Sequence, residues 1–103
     1  MPKYLFVYHG GKAPESPEEG QAVMAKWLAW RDKMGDAVVD FGAPAGPSKT
    51  VQNGSVLDGG GVNPASGYSL ISAGDIDAAV AHAQGCPILD DGGSIEVAEA
   101  MGM

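Results

Sequence analysis

The residues able to do acid–base chemistry are few. Two histidines occur, His9 and His82, and they fall in different predicted elements. His9 closes the run KYLFVYH at residues 3–9 and is followed by Gly10 and Gly11. Imidazole changes charge near neutral pH, so a histidine at the carboxyl end of a strand, beside flexible glycines, is placed to accept a proton. A general base also needs an acceptor that orients its ring. Asp40, near the end of a second strand, and Asp58, in the loop beyond it, are the carboxylates expected to come close. Tyr8 and Tyr68, if carried on adjacent strands, would flank one cavity and offer hydroxyls to a polar ligand; a buried tyrosine O–H normally finds a partner. Each group also has a plainer role: His9 as a strand end bonded to loop backbone, the tyrosines as core.

Other groups carry less chemistry. His82 lies in the last turns of a second predicted helix, off its apolar stripe, where the helix dipole favours a cationic ring; a surface position is expected. Two separated histidines with no matching carboxylate spacing make no metal site, and no cofactor is implied. GAPAGPSKT, residues 42–50, has the look of a phosphate loop, but Pro47 and Ser48 stand between its glycine and its lysine and a hairpin follows instead of a helix. Gly59 to Gly61 could offer free amides to a carboxylate, a weak signal. Cys86 is the only cysteine and precedes Pro87. It has no cation close in sequence, and a small buried corner residue is expected instead of a nucleophile.

Bulk composition excludes several classes of function. The 103 residues hold 6 basic and 13 acidic side chains, a formal net charge of −7. No basic stripe exists for nucleic acid or for an anionic membrane surface. The longest apolar run is far short of the roughly 20 residues that a membrane helix needs. A lone thiol suits a reducing compartment, and a strand beginning within three residues of the N-terminus leaves no room for a signal peptide. A single cytoplasmic domain is expected. A domain this small exposes a large share of its surface, which favours self-association.

The elements that must position these residues follow from local signals. The first strand is predicted over Lys3–His9. SPEE, residues 16–19, is a capping box with proline at the first helical position: Ser16 can accept from the Glu19 N–H and the Glu19 side chain can reach back. A helix over residues 17–34 then carries Val23, Trp27, Trp30 and Met34 on one stripe, with Gly35 as its left-handed cap. A second strand is predicted over Asp36–Phe41. In KTVQNGSVL, residues 49–57, Asn53-Gly54 is a strong signal for a two-residue hairpin whose two turn positions take positive φ. A third strand is expected over Tyr68–Ser72. A second helix over Ile76–Gln84 follows, capped by Asp75, with Ile76, Ala79, Val80 and Ala83 inward and Gly85 at its end. Ser94–Ala98 alternates as a fourth strand.

The order β-α-β-hairpin-β-α-β matches two β-α-β units sharing one sheet, an α+β, ferredoxin-like β-α-β-β-α-β arrangement with an extra hairpin in the long connection. Both helices then cover one face of the sheet. The first strand would be central, yet it is apolar on both faces, with Leu5 and Val7 opposite Tyr4, Phe6 and Tyr8. The face away from the helices needs a cover. A second copy of the sheet is the economical one, giving a homodimer; the 42–67 loop folding back is the alternative.

The segment GYSLISAGDIDAAVAHAQGCPILDDGGSIEVAE, residues 67–99, resembles the end of the YCII-related family, most specifically in GCP at 85–87 and GGSIEV at 92–97. KYLFVYHGG and MGDAVVDFGAP also resemble that family, including its DGPF-containing branch. The resemblance implies a dimeric α/β barrel of ferredoxin-like protomers and a cytoplasmic bacterial protein. Members of a dehydrochlorinase-like branch are thought to use a histidine on the first helix with an aspartate; residues 17–34 hold no histidine, so that role is not carried over. Where the branch reads Asp-Gly-Pro-Phe, this chain reads Asp58-Gly59-Gly60-Gly61. Two functions fit. One is cofactor-independent proton transfer or elimination on an oxygenated substrate, with His9 and Asp40 as the working pair and Tyr8, Asp58 and Tyr68 as ligand contacts. The other is a non-catalytic ligand-sensing or accessory role, which the resemblance links to sigma-factor regulation. A filled cavity, with dimerisation alone readable, is the bland third.

Overall fold

The structure, a computed structural model, describes residues 1–102. The strands are β1 (Lys3–His9), β2 (Val38–Pro44), β3 (Lys49–Gln52), β4 (Ser55–Asp58), β5 (Ala65–Ser72) and β6 (Ser94–Ala100). The helices are α1 (Pro17–Met34) and α2 (Ile76–Ala83), and 3-10 turns span Gly35–Ala37 and Pro87–Asp91. β2, β5, β1 and β6 form one sheet in that order, with every neighbouring pair antiparallel. β3 and β4 pair only with each other. This α+β order, with β1 and β5 central, fits the ferredoxin-like arrangement.

Local chemistry explains the boundaries. Ser16 Oγ accepts from the Glu19 N–H at 3.1 Å, as a cap should, but Glu19 Oε2 accepts from the Glu15 N–H at 3.3 Å and not from Ser16. The second strand begins at Val38, two residues later than its predicted start, because Gly35 takes positive φ and leads into the 3-10 turn. It then runs on to Pro44 through register shifts on both sides of Asp40. β5 starts three residues before the expected Tyr68, and α2 stops at Ala83, one residue early. The hairpin forms as expected, with one difference. Asn53 keeps a negative φ and only Gly54 turns positive, at +85°, as the second turn position of a type II turn does.

Tyr4, Phe6 and Tyr8 of β1, Ile71 of β5, Trp30 and Met34 of α1, and Ala79 and Ala83 of α2 share one buried cluster. Both helices therefore cover the same sheet face, as the element order demands. Trp30 joins them, its Nε1–H donating to the His82 carbonyl at 2.9 Å. α2 departs from its expected inner stripe. Its alanines sit against the sheet, and Ile76 and Val80 turn outward, at 49% and 38% exposure. A helix seated on small side chains approaches closely and rotates its larger neighbours away.

The opposite sheet face is bare over most of its area. Leu5 is 37% and Tyr68 44% exposed, with Val7 and Leu70 half-buried beside them. The molecule measures 43 × 43 × 19 Å, its short dimension being one helix layer on one sheet. Its radius of gyration of 14.7 Å exceeds the roughly 13 Å of a compact chain this long. The 42–67 connection covers only one corner of that face, over His9, and otherwise extends as the β3–β4 hairpin with Val51 and Val56 in solvent. No helix among the described residues is long and apolar enough to cross a membrane.

Candidate functional site

Antiparallel alternation gives the helix-facing side of β1 to Tyr8 and the bare side to His9. His9 is covered at the sheet corner, its side chain only 12% exposed. Its Nδ1 lies 3.0 Å from the Asn63 carbonyl and 3.2 Å from that of Pro64, and its Nε2 lies 3.2 Å from Glu96 Oε1. Carbonyls and an ionised carboxylate only accept, so Nδ1–H donates to the loop, and Nε2 donates to Glu96 only when it carries a hydrogen as well. Glu96 reaches Nε2 from β6, where it pairs with Val7, two residues along from the His9–Ser94 pair and on the same face.

The two aspartates expected beside His9 are elsewhere. Asp40 pairs with Leu70, which pairs with Leu5. Two strand spacings of about 4.8 Å and four residues of about 3.3 Å leave it roughly 16 Å from His9. Its Oδ1 accepts from the Gly42 N–H at 2.9 Å, an Asx-type turn within β2. Asp58 sits on the hairpin and takes Lys49 Nζ at 2.6 Å. Glu96 occupies the position next to the ring instead. Its outward direction was readable from the alternation in SIEV; its partnership was not, since that depends on β6 lying beside β1.

A separate chemistry-bearing feature is a cleft of about 570 Å³ between the N-terminal half of α1 and the end of the sheet. Tyr8, Trp27, Phe41 and Tyr68 all line it, along with Val23 and Met24. So Tyr8 and Tyr68 do border one cavity, and His9 does not border it. Their hydroxyls do not converge as expected, because Tyr68 pairs with Val7 while Tyr8 pairs with Gly67, placing the two side chains on opposite faces. The aromatic walls meet edge to face. Tyr8 and Trp27 centroids are 5.2 Å apart at 89°, and Trp27 and Phe41 are 6.3 Å apart at 66°.

The cleft exists because the apolar stripe of α1 outruns the sheet beneath it. Trp30 and Met34 are buried and Trp27 packs against the core while half-buried, but Met24 beside the stripe is 56% exposed, so the stripe is fully covered only from Trp30 onward. Glycine on the sheet completes the space. Gly67 faces the helix side opposite Tyr8, and a Cβ there would come within 3.2 Å of the Tyr8 ring.

At the cleft's inner end a hydroxyl chain has a fixed sense. Ser69 Oγ–H donates to the Phe41 carbonyl at 2.5 Å, which leaves the Tyr8 O–H to donate to Ser69 Oγ at 2.6 Å. Burial pushes the Tyr8 phenol far above its ordinary range, so it stays neutral. Burial also pushes the Cys86 thiol up to about 11, which keeps it protonated and inert near neutral pH. Among the described residues no cluster of three or more potential ligands for a metal ion is found.

A scan against protein-family models and a search of curated proteins find no match to the chain.

Proposed function

We propose that this protein binds a small molecule without transforming it, in the cleft under α1, and works as a homodimer. The observation that carries the reading is the partly uncovered stripe Val23, Met24 and Trp27, which together with Tyr8 and Phe41 lines a space of about 570 Å³. Ligand sites run to roughly 300–1,000 Å³ with mainly apolar walls and few polar groups. Large apolar side chains left beside such a space are costly in water and useful against a ligand. Binding is favoured over turnover because His9 lies outside the cleft and both of its nitrogens are engaged. A ligand-sensing or accessory role, with or without a link to sigma-factor regulation, follows from that preference.

The test is titration of the 15N-labelled protein with indane, followed through the Gly67 amide. Micromolar to millimolar binding is expected, weakened about tenfold in a Trp27→Ala variant, since loss of one aromatic wall removes roughly 1–2 kcal/mol of contact. No response at Gly67 from indane or related ring compounds would end the reading.

The dimer rests on the bare sheet face, the 19 Å thickness and the likeness of GCP and GGSIEV to the YCII-related family, whose protomers pair sheet to sheet as an α/β barrel. Sedimentation should give the mass of two chains. Leu5→Asp, a charge in the middle of that face, should give one chain with the fold intact by circular dichroism. A wild-type monomer at high concentration would exclude the pairing.

A further inference from the structure

Ser66 is the one buried side-chain polar atom without a hydrogen-bond partner among the described residues. Native structures leave few such atoms, and each calls for a reason. Its position supplies one. Tyr8 pairs with Gly67 and His9 with Ala65, so Ser66 is the extra residue of a β-bulge in β5. A bulge bends the strand and re-aims a side chain, and bulges concentrate beside functional sites. Ser66 stands between the cleft under α1 and the groove beside Gly60 and Gly61, with its Oγ closed to both, so a ligand in the cleft reaches the hydroxyl as the side chain turns toward it.

Resting on the binding reading above, we infer that Ser66 is the polar anchor of the cleft, and that the ligand is a neutral ring compound bearing a carbonyl or hydroxyl group. Of the other polar side chains bordering the space, Tyr68 carries its hydroxyl on the opposite sheet face and the rest are engaged or at the rim. The Tyr8 hydroxyl hydrogen belongs to Ser69, and Lys12 lies 3.5 Å from Glu15. Lys12 and Asp91 bring opposite charges to the rim, so neither sign of ligand is selected. The interior walls are Val23, Trp27 and Phe41, flat or apolar surfaces against which a ring packs edge-on or offset. A serine hydroxyl both donates and accepts, so a ligand carbonyl or hydroxyl completes it.

Two probes of matched shape separate the anchor from the cleft: 1-indanone, which carries a carbonyl, and indane, which does not. Both are titrated into the 15N-labelled full chain, with the Trp27 indole N–H and the Gly67 amide as reporters. The ketone is expected to bind roughly three- to tenfold more tightly than the hydrocarbon, the gain of one neutral hydrogen bond. In Ser66→Ala that advantage disappears while indane affinity is unchanged, which also certifies that the variant is folded; Ser66→Thr, keeping the hydroxyl, retains it. Equal binding of both probes in wild type and Ser66→Ala overturns the anchor and leaves the cleft reading standing. Shifts confined to Gly60 and Gly61, on the groove that borders Ser66 from its other side, also overturn it. Silence at every reporter removes the cleft reading and the anchor together.

Discussion

Replacing Phe6 by alanine is expected to cost about 4 kcal/mol of stability, within the range for a buried phenylalanine truncated to alanine. Phe6 is wholly buried at the centre of β1, between Ser69 of β5 and Val97 of β6. Its ring lies over Trp30 at 6.4 Å with planes 19° apart. The cavity it would leave is floored by sheet backbone and roofed by an indole that hydrogen-bonds to α2, so neighbours have little freedom to collapse into it. Small domains have roughly 5–15 kcal/mol in total, so the loss removes between about a quarter and most of the stability. In urea the midpoint should fall by about 3 M at a slope of about 1.3 kcal/mol/M. Leu5→Ala, one residue away on the other face, is the control. Both variants are compared in dilute, dissociated protein, where Leu5 is 37% exposed and its truncation should cost far less. Similar losses at the two positions would mean that the helices do not lie on the Tyr4–Phe6–Tyr8 face.

That alternation was the most readable property of the chain. KYLFVYH is apolar on both faces, which requires a central strand, and β1 is flanked by β5 and β6. α1 and the hairpin were readable because their signals are local: Ser16 before Pro17, a 3.6-residue stripe, and Asn53-Gly54 between β-prone runs. The tertiary placement of polar groups was not. Asp40 has the right type and a strand-end position for a partner to His9, yet its carboxylate closes a turn with the N–H two residues on, a competing local bond that composition does not announce. Glu96 gained the role through the order of strands, which no spacing in the sequence encodes.

The cleft was hidden for a related reason. A stripe of Val23, Trp27, Trp30 and Met34 reads as core along its whole length, because periodicity reports which side of a helix is apolar and not how far the sheet extends beneath it. Gly67 and the bulge at Ser66 shorten the usable sheet at that end. Their effect is a vacancy, and a vacancy leaves no pattern in residue types. The sequence carried one trace of it, the excess of glycine, 16 in 103, concentrated in residues 42–67.

Gly42 is where that glycine excess is most strictly required, and Gly42→Ala is expected to cost 3 kcal/mol or more (about 1–3 for the backbone conformation alone). Its φ is +79°, a region that side chains with a Cβ occupy at a cost, and a Cβ would fall 1.8 Å from the Tyr68 carbonyl oxygen and 2.7 Å from its carbon. The obstacle is backbone, so no rotamer change relieves it. β2 would have to leave β5, breaking the Ala43–Tyr68 and Pro44–Gly67 pairings and the bond from the Ala45 N–H to the Ser66 carbonyl at 2.9 Å. Those residues form the sheet side of the cleft, so the amides of Ser66 and Gly67 should lose their native shifts and indane its site. Gly54→Ala makes the comparison fair. Gly54 has φ of +85° with nothing within 4 Å of the added carbon, so it carries only the left-handed penalty of about 1–2 kcal/mol. If urea unfolding shows the two variants equally stable, the close passage of β2 over Tyr68 is absent in solution, and the wall that it gives the cleft is absent with it.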